Sequence, residues 1–228
     1  MLVGVAFDIP EPWGGELTRR RVDAGDPAGA HVPAHLTLLG PTEVDPERLP
    51  DIERHLVRVA AAHRPFPLHL RGTGTFRPLT QVVFVVVAAG ISECEQLAEQ
   101  VRSIPALERE LRFPYHPHVT VAQDVSTDSL DAVYEDLSGF EARWEVDGFT
   151  LYEHGPEGRW RARRDFPLGG WSGGSAPPDG SSGGSTLEGS AGASAPPDGS
   201  SGGSAPGGSA LDGSTLEGSA GASPAGSS

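Results

Sequence analysis

Only two of the eight histidines have Ser or Thr two positions later. They stand in His35-Leu36-Thr37-Leu38 and His118-Val119-Thr120-Val121. Cleaving a phosphodiester needs a base to deprotonate the attacking water and an acid to protonate the leaving oxygen, on opposite sides of phosphorus. Histidine suits either role because its unperturbed pKa is ~6.5. A threonine hydroxyl beside it donates to a non-bridging oxygen as charge builds in the transition state. Such chemistry requires no metal.

The spacing also says where these side chains point. In a strand, residues two apart share a face. His35 and Thr37 therefore look one way while Leu36 and Leu38 enter a core, and His118 and Thr120 do the same in front of Val119 and Val121. The motifs lie 83 residues apart, about half the length of the foldable body. That separation predicts one copy in each of two lobes, facing across a cleft.

Further candidates cluster nearby in the chain. Tyr115 and His116 precede the second motif and are expected to line the cleft. His116 and His118 are two apart, as a metal pair can be, but no third ligand stands at useful spacing, so no metal and no cofactor are expected. Arg77 follows Thr73-Gly74-Thr75-Phe76 and is a candidate for phosphate or base contact. Phe76 or Tyr115 would stack a nucleobase. Arg159, Arg161 and Arg163 alternate along a strand and read as a charged edge. Cys94, the single cysteine, reads as structural and excludes a disulfide framework. There is no P-loop, dinucleotide glycine motif or Gly-x-Ser-x-Gly elbow.

The elements that must position these residues occupy 1–168. Alternating patterns predict strands at Leu2–Ile9, Pro33–Gly40, Leu68–Phe76, Gln81–Ala88, His118–Ala122, Ala142–Glu153 and Arg159–Phe166. Helices are expected at Pro12 to about Ala24, at Leu49–His63, up to about Ser103 behind a Ser92/Glu95 capping box, and from about Ser126 to Leu137. The order predicts an α+β fold of two similar lobes, each with antiparallel hairpins. Residues 169–228 are almost entirely Gly, Ser, Ala and Pro. They repeat SAPPDGSSGGS and GSTLEGSAGAS without enough apolar residues for a core, and read as a disordered tail.

Charge narrows the ligand. The formal net charge is −14, and the tail supplies only Asp179, Glu188, Asp198, Asp212 and Glu217, so the body itself is strongly acidic. Long nucleic acid bound by bulk charge is excluded on this ground. A small phosphorylated ligand is not, because every basic residue is Arg, suited to bidentate phosphate contacts. No apolar run spans a membrane, and MLVGVAFDIP lacks the basic start of a signal peptide. A cytoplasmic monomer is the expectation.

The paired His-x-Thr-x motifs resemble those of the 2H phosphoesterase superfamily, in its bacterial 2′-5′ RNA ligase-like branch, over essentially the whole of 1–168. The resemblance implies a bilobal, pseudo-twofold α+β fold with two antiparallel sheets lining a central cleft and helices outside. It also implies metal-independent cleavage of 2′,3′-cyclic phosphates or 2′-5′ phosphodiesters in RNA ends or small nucleotides. That chemistry is reversible as 2′-5′ ligation and consistent with RNA processing. Catalytic roles carry over to His35 and His118, and phosphate contacts to Thr37 and Thr120. Many relatives have an aromatic two positions after the first motif. This chain has Gly40, which changes the expected pocket wall. The alternative is a nucleotide- or RNA-binding module of the same fold without turnover, and intact histidine and threonine in both motifs favour catalysis over it.

Overall fold

The run Val82-Val83-Phe84-Val85-Val86-Val87 has no polar face, so it must be covered on both sides. The computed structural model, which describes residues 1–108, 111, 113–155 and 159–169, places this run inside a sheet. In chain order the elements are β1 (Leu2–Asp8), α1 (Trp13–Asp23), β2 (His35–Glu43), a 3₁₀ turn (Pro46–Arg48), α2 (Leu49–Ala62), β3 (Phe66–Thr75), β4 (Val82–Ala89), α3 (Ile91–Val101), β5 (His118–Gln123), α4 (Thr127–Asp136), β6 (Glu141–Val146), β7 (Gly148–His154) and β8 (Trp160–Pro167). Residues 170–228 of the tail expected at 169–228, and residues 156–158 of the last hairpin's turn, lie outside the described residues.

Two four-stranded antiparallel sheets result. The first runs β2-β1-β7-β8 and the second β5-β4-β3-β6. The units β1–α1–β2 and β4–α3–β5 correspond, and each ends on an edge strand that opens with a histidine. The correspondence reaches single residues. Pairing skips Leu38 between Thr37↔Ala6 and Leu39↔Val5, and it skips Val121 between Thr120↔Phe84 and Ala122↔Val83. Each motif is thus followed at once by a bulge, which bends and twists the strand locally.

Two expectations need correction. The stretch Ala142–Glu153 is not one strand: it breaks at Asp147, with β6 in the second sheet and β7 in the first. Gly148 starts β7 where a Cβ would lie 3.0 Å from the Phe166 carbonyl, so a side chain there would press on β8. The lobes are therefore not successive halves of the chain, because the last hairpin returns to complete the first sheet. Ser92 does not cap α3 either. The helix starts two residues earlier, behind Gly90 at φ +91°, a conformation glycine adopts without strain.

Ile52, Leu56, Val59 and Ala60 form the buried stripe that the spacing of α2 predicts. They join one core with Val5, Phe7, Leu36, Leu97, Val119, Val121 and Leu151, which links both sheets. A smaller cluster of Phe76, Val82 and Phe84 lies apart from it. Among the described residues no helix is long and apolar enough to cross a membrane.

Candidate active site

The loop before β2 is bound back onto α1, which fixes where His35 begins. The Arg21 guanidinium donates to Asp26 at 2.9 and 3.1 Å and to the Val32 carbonyl at 3.4 Å, and this ion pair is fully buried. Thr18 Oγ1 accepts from the Ala34 amide at 2.9 Å. At the second motif the same placement comes from β4, which pairs Val86 with His118 and Phe84 with Thr120.

The two imidazoles are held alike. His35 Nδ1 bonds the Pro33 carbonyl and His118 Nδ1 bonds the His116 carbonyl, each at 2.8 Å and each to a residue two positions back. A carbonyl only accepts, so Nδ1 carries the proton in both rings and Nε2 is left bare as a base. Both side chains are 7% exposed. Burial lowers both pKa values to about 4, against the smaller upward pull of the backbone hydrogen bonds. The charge of Arg21 lowers His35 further, and those of His116 and His35 lower His118. The strands that carry the two rings, β2 and β5, are in contact.

Thr120 is buried and its hydroxyl has no hydrogen-bond partner, a cost that a bound acceptor would remove. Thr37, the matching residue, is half-buried.

The surrounding candidates separate into distinct roles. Phe76 is 1% exposed and lies edge-on to His118 at 4.9 Å, with Phe84 at 5.3 Å and the two phenyl rings 4.2 Å apart. Phe76 therefore walls His118 and offers no open face for stacking. Gly74, across from Phe84, makes room for that ring: a Cβ there would lie 2.6 Å from it. His116 is half-buried, nearly parallel to His118 at 6.4 Å, and its own pKa is lowered by burial. It keeps partial access to solvent beside the His118 ring. Arg77 has partners of its own: its guanidinium pairs with Asp131 of α4 at 2.7 Å, and its Nε donates to Thr75 at 3.2 Å. Tyr115 is committed as well, since its hydroxyl donates to the Thr37 carbonyl at 2.8 Å.

Sequence reasoning missed three residues. Asp8 pairs with His35 across the β1–β2 ladder and accepts from the Tyr152 hydroxyl and, at 3.2 Å, from Thr150. Its place at the exposed end of an apolar strand was the available signal. Arg21 and Arg102 stand in amphipathic helical segments, where an Arg looks like an ordinary surface residue. Among the described residues no three His, Cys, Asp or Glu side chains converge to hold a metal.

The chain is similar to known proteins over the described body. The model of the 2′-5′ RNA ligase superfamily matches residues 9–157, which include both motifs. A Bacillus licheniformis protein named "Putative phosphoesterase" is 33% identical over 146 residues, covering 63% of this chain and 85% of its own. A Halalkalibacterium halodurans protein of the same printed name is 29% identical, with 63% and 84% covered. Among solved structures, TT0787 of Thermus thermophilus superposes with a TM-score of 0.53 at 27% identity, over 75% of this chain and 99% of that one. E. coli LigT, solved with NADP+, gives 0.52 at 26%, over 73% and 96%. With the model matching well over half of its length, the chain belongs to the 2′-5′ RNA ligase superfamily.

Proposed function

We propose that the protein hydrolyses 2′,3′-cyclic phosphates or 2′-5′ phosphodiesters of RNA ends or small nucleotides by metal-independent, two-histidine acid–base catalysis. One observation carries this reading: two imidazoles with Nδ1 tied to the backbone and Nε2 bare, beside the unpartnered hydroxyl of Thr120. The relatives support the reaction class through their phosphoesterase names, and E. coli LigT has also been solved with phosphate, at 25% identity and a TM-score of 0.51.

In this mechanism His118 Nε2 takes a proton from water as its oxygen attacks phosphorus. His35, entering protonated on Nε2, gives that proton to the departing ribose oxygen as the P–O bond breaks. Thr37 and Thr120 donate to the non-bridging oxygens. The cycle ends with His118 protonated and His35 neutral, and exchange with solvent restores both. With a ribose 5′-hydroxyl attacking a 2′,3′-cyclic phosphate in place of water, the same forward steps expel the 3′ oxygen and form a 2′-5′ bond. The acidic body suits a small nucleotide or a single RNA end over a long polyanion.

The test is a turnover panel of 2′,3′-cyclic nucleotides and 2′-5′ dinucleotides with EDTA present, product position being read by phosphorus NMR. Turnover unaffected by EDTA is expected. Loss of activity with EDTA would sink the metal-independent mechanism, and saturable binding without turnover would favour the binding-module alternative.

A further inference from the structure

In-line displacement needs the two imidazoles at a set separation, on either side of one phosphorus. Yet β2 and β5 belong to different sheets, so no strand ladder sets the distance between them. Each is an edge strand of its sheet, and the two are in contact. The side chains of Tyr115 and Arg102 reach across that junction. Tyr115, three residues before His118, donates its hydroxyl to the Thr37 carbonyl at 2.8 Å. Arg102, just past α3, donates Nη1 to the next carbonyl, that of Leu38, at 3.2 Å. Its guanidinium also lies 5.2 Å from the centre of the Tyr115 ring. The accepting carbonyls are those of the motif threonine and of the bulged residue beside it.

The pairing is one-sided. Pseudo-twofold symmetry puts Val32, three residues before His35, where Tyr115 stands before His118, and valine has no donor to reach the Thr120 carbonyl. The phenol of Tyr115 and the arginine beside it add a directed tie to the apolar core that links both sheets. The Tyr115 hydroxyl is buried away from solvent and stays protonated, so it remains a donor across the working pH range.

We infer that Tyr115 is a positioning residue: by hydrogen bonding the Thr37 carbonyl it sets the gap between the His35 and His118 motifs, with Arg102 holding its ring in place. Its action is on geometry, through the strand that carries His35 and Thr37, and it touches neither substrate nor the reacting atoms. The inference rests on the two-histidine reading for its kinetic consequence, but the clasp can be tested without turnover.

The experiment compares the full-length protein with Tyr115→Phe, which keeps the ring under Arg102 and removes only the hydroxyl. On the best substrate of the panel, kcat should fall tenfold or more while KM changes less than threefold, both measured well below the melting temperature of the variant. In parallel, inorganic phosphate is titrated against the imidazole signals of both proteins by NMR. In the wild type one phosphate should shift His35 and His118 together with a single Kd. In Tyr115→Phe that Kd should rise at least fivefold or the two responses should separate. If the wild type turns over nothing on the panel, the functional reading fails and the phosphate titration alone decides the clasp. Unchanged kcat together with unchanged phosphate response overturns the inference. So does a variant that only melts earlier, with kcat intact, because the hydroxyl is then merely structural. Arg102→Met serves as the second variant and should reproduce the same kcat loss in milder form.

Discussion

Asp8 lies directly across the β1–β2 ladder from His35, whereas the matching position across from His118 is Val86. The two halves of the site are alike in backbone and opposite in polarity. On the His35 side Asp8 is tied to Tyr152 and Thr150, and Thr150 also donates to Asp165 at 2.8 Å. On the His118 side stand Phe76 and Phe84. A nearby carboxylate favours an imidazolium and an aromatic enclosure favours the neutral ring. Yet burial holds both rings at about 4 and the charge acting on His35 is that of Arg21, so paired substrates decide which ring is the acid.

His35→Ala and His118→Ala should each lower turnover by ~10² to 10⁴, the usual worth of a general acid or base. The division of labour shows on paired substrates. With a nitrophenyl leaving group, which needs little protonation, His35→Ala should recover much of its loss and His118→Ala none. Selective recovery of His118→Ala would reverse the assignment.

The pH profile follows from burial. Both rings have pKa values lowered to about 4 in the free protein, so at neutral pH both are unprotonated. The reactive form needs one ring protonated, and above that range its share of the free enzyme falls about tenfold per pH unit. Log kcat/KM should therefore slope downward through the ordinary histidine range, while kcat holds to higher pH because a bound anion stabilises the imidazolium. A kcat/KM optimum above neutrality would contradict the burial of the two rings.

The same shifts act on stability. A histidine whose pKa is lowered on folding contributes fully above its unfolded value of ~6.5, and that contribution is lost as pH falls toward its folded value. With folded values of about 4, the loss amounts to about 3 kcal/mol per ring at the acid end of this window. Urea unfolding at a series of pH values should show His35→Asn losing less stability than the wild type on acidification. Parallel curves would mean that His35 titrates normally in the fold.

Thr120→Val should separate activity from stability. The hydroxyl is buried without a partner, and relieving such a group is worth about 1–3 kcal/mol, so the variant should melt at or above the wild-type temperature. Its turnover should fall tenfold or more through loss of a phosphate donor. Thr37→Val, at the half-buried counterpart, should also slow turnover but leave the melting temperature nearly unchanged.

Deleting residues 170–228 should leave kcat and melting temperature unchanged, because a segment of this composition has little apolar area to bury. Calorimetry and the turnover panel check it. A drop of many degrees would show that Trp171 or one of the tail leucines packs on the body.

Much of this molecule is legible locally. Strand alternation at His35–Leu38 and His118–Val121 puts each His–Thr pair on one face, and the stripe of Ile52, Leu56, Val59 and Ala60 specifies α2. The apolar run of β4 declares an interior strand. These features depend on residues a few positions apart, whose relation is set by the strand and helix repeats themselves. Other features depend on residues the chain brings together only by folding. The break at Asp147 was invisible because β6 and β7 each satisfy the strand pattern, and their different sheets are decided by which strands they meet. Tyr115 bonds Thr37 across 78 positions, and Arg77, a plausible phosphate ligand by type, is instead neutralised by Asp131 of α4. Phe76 became the wall of His118, and the histidines lost their ordinary pKa, through desolvation. Residue types and spacing determined which chemistry this chain carries. Tertiary packing alone decided how far apart, how dry and how charged the two imidazoles are, because distance and desolvation are properties of the assembled neighbours and not of the local sequence.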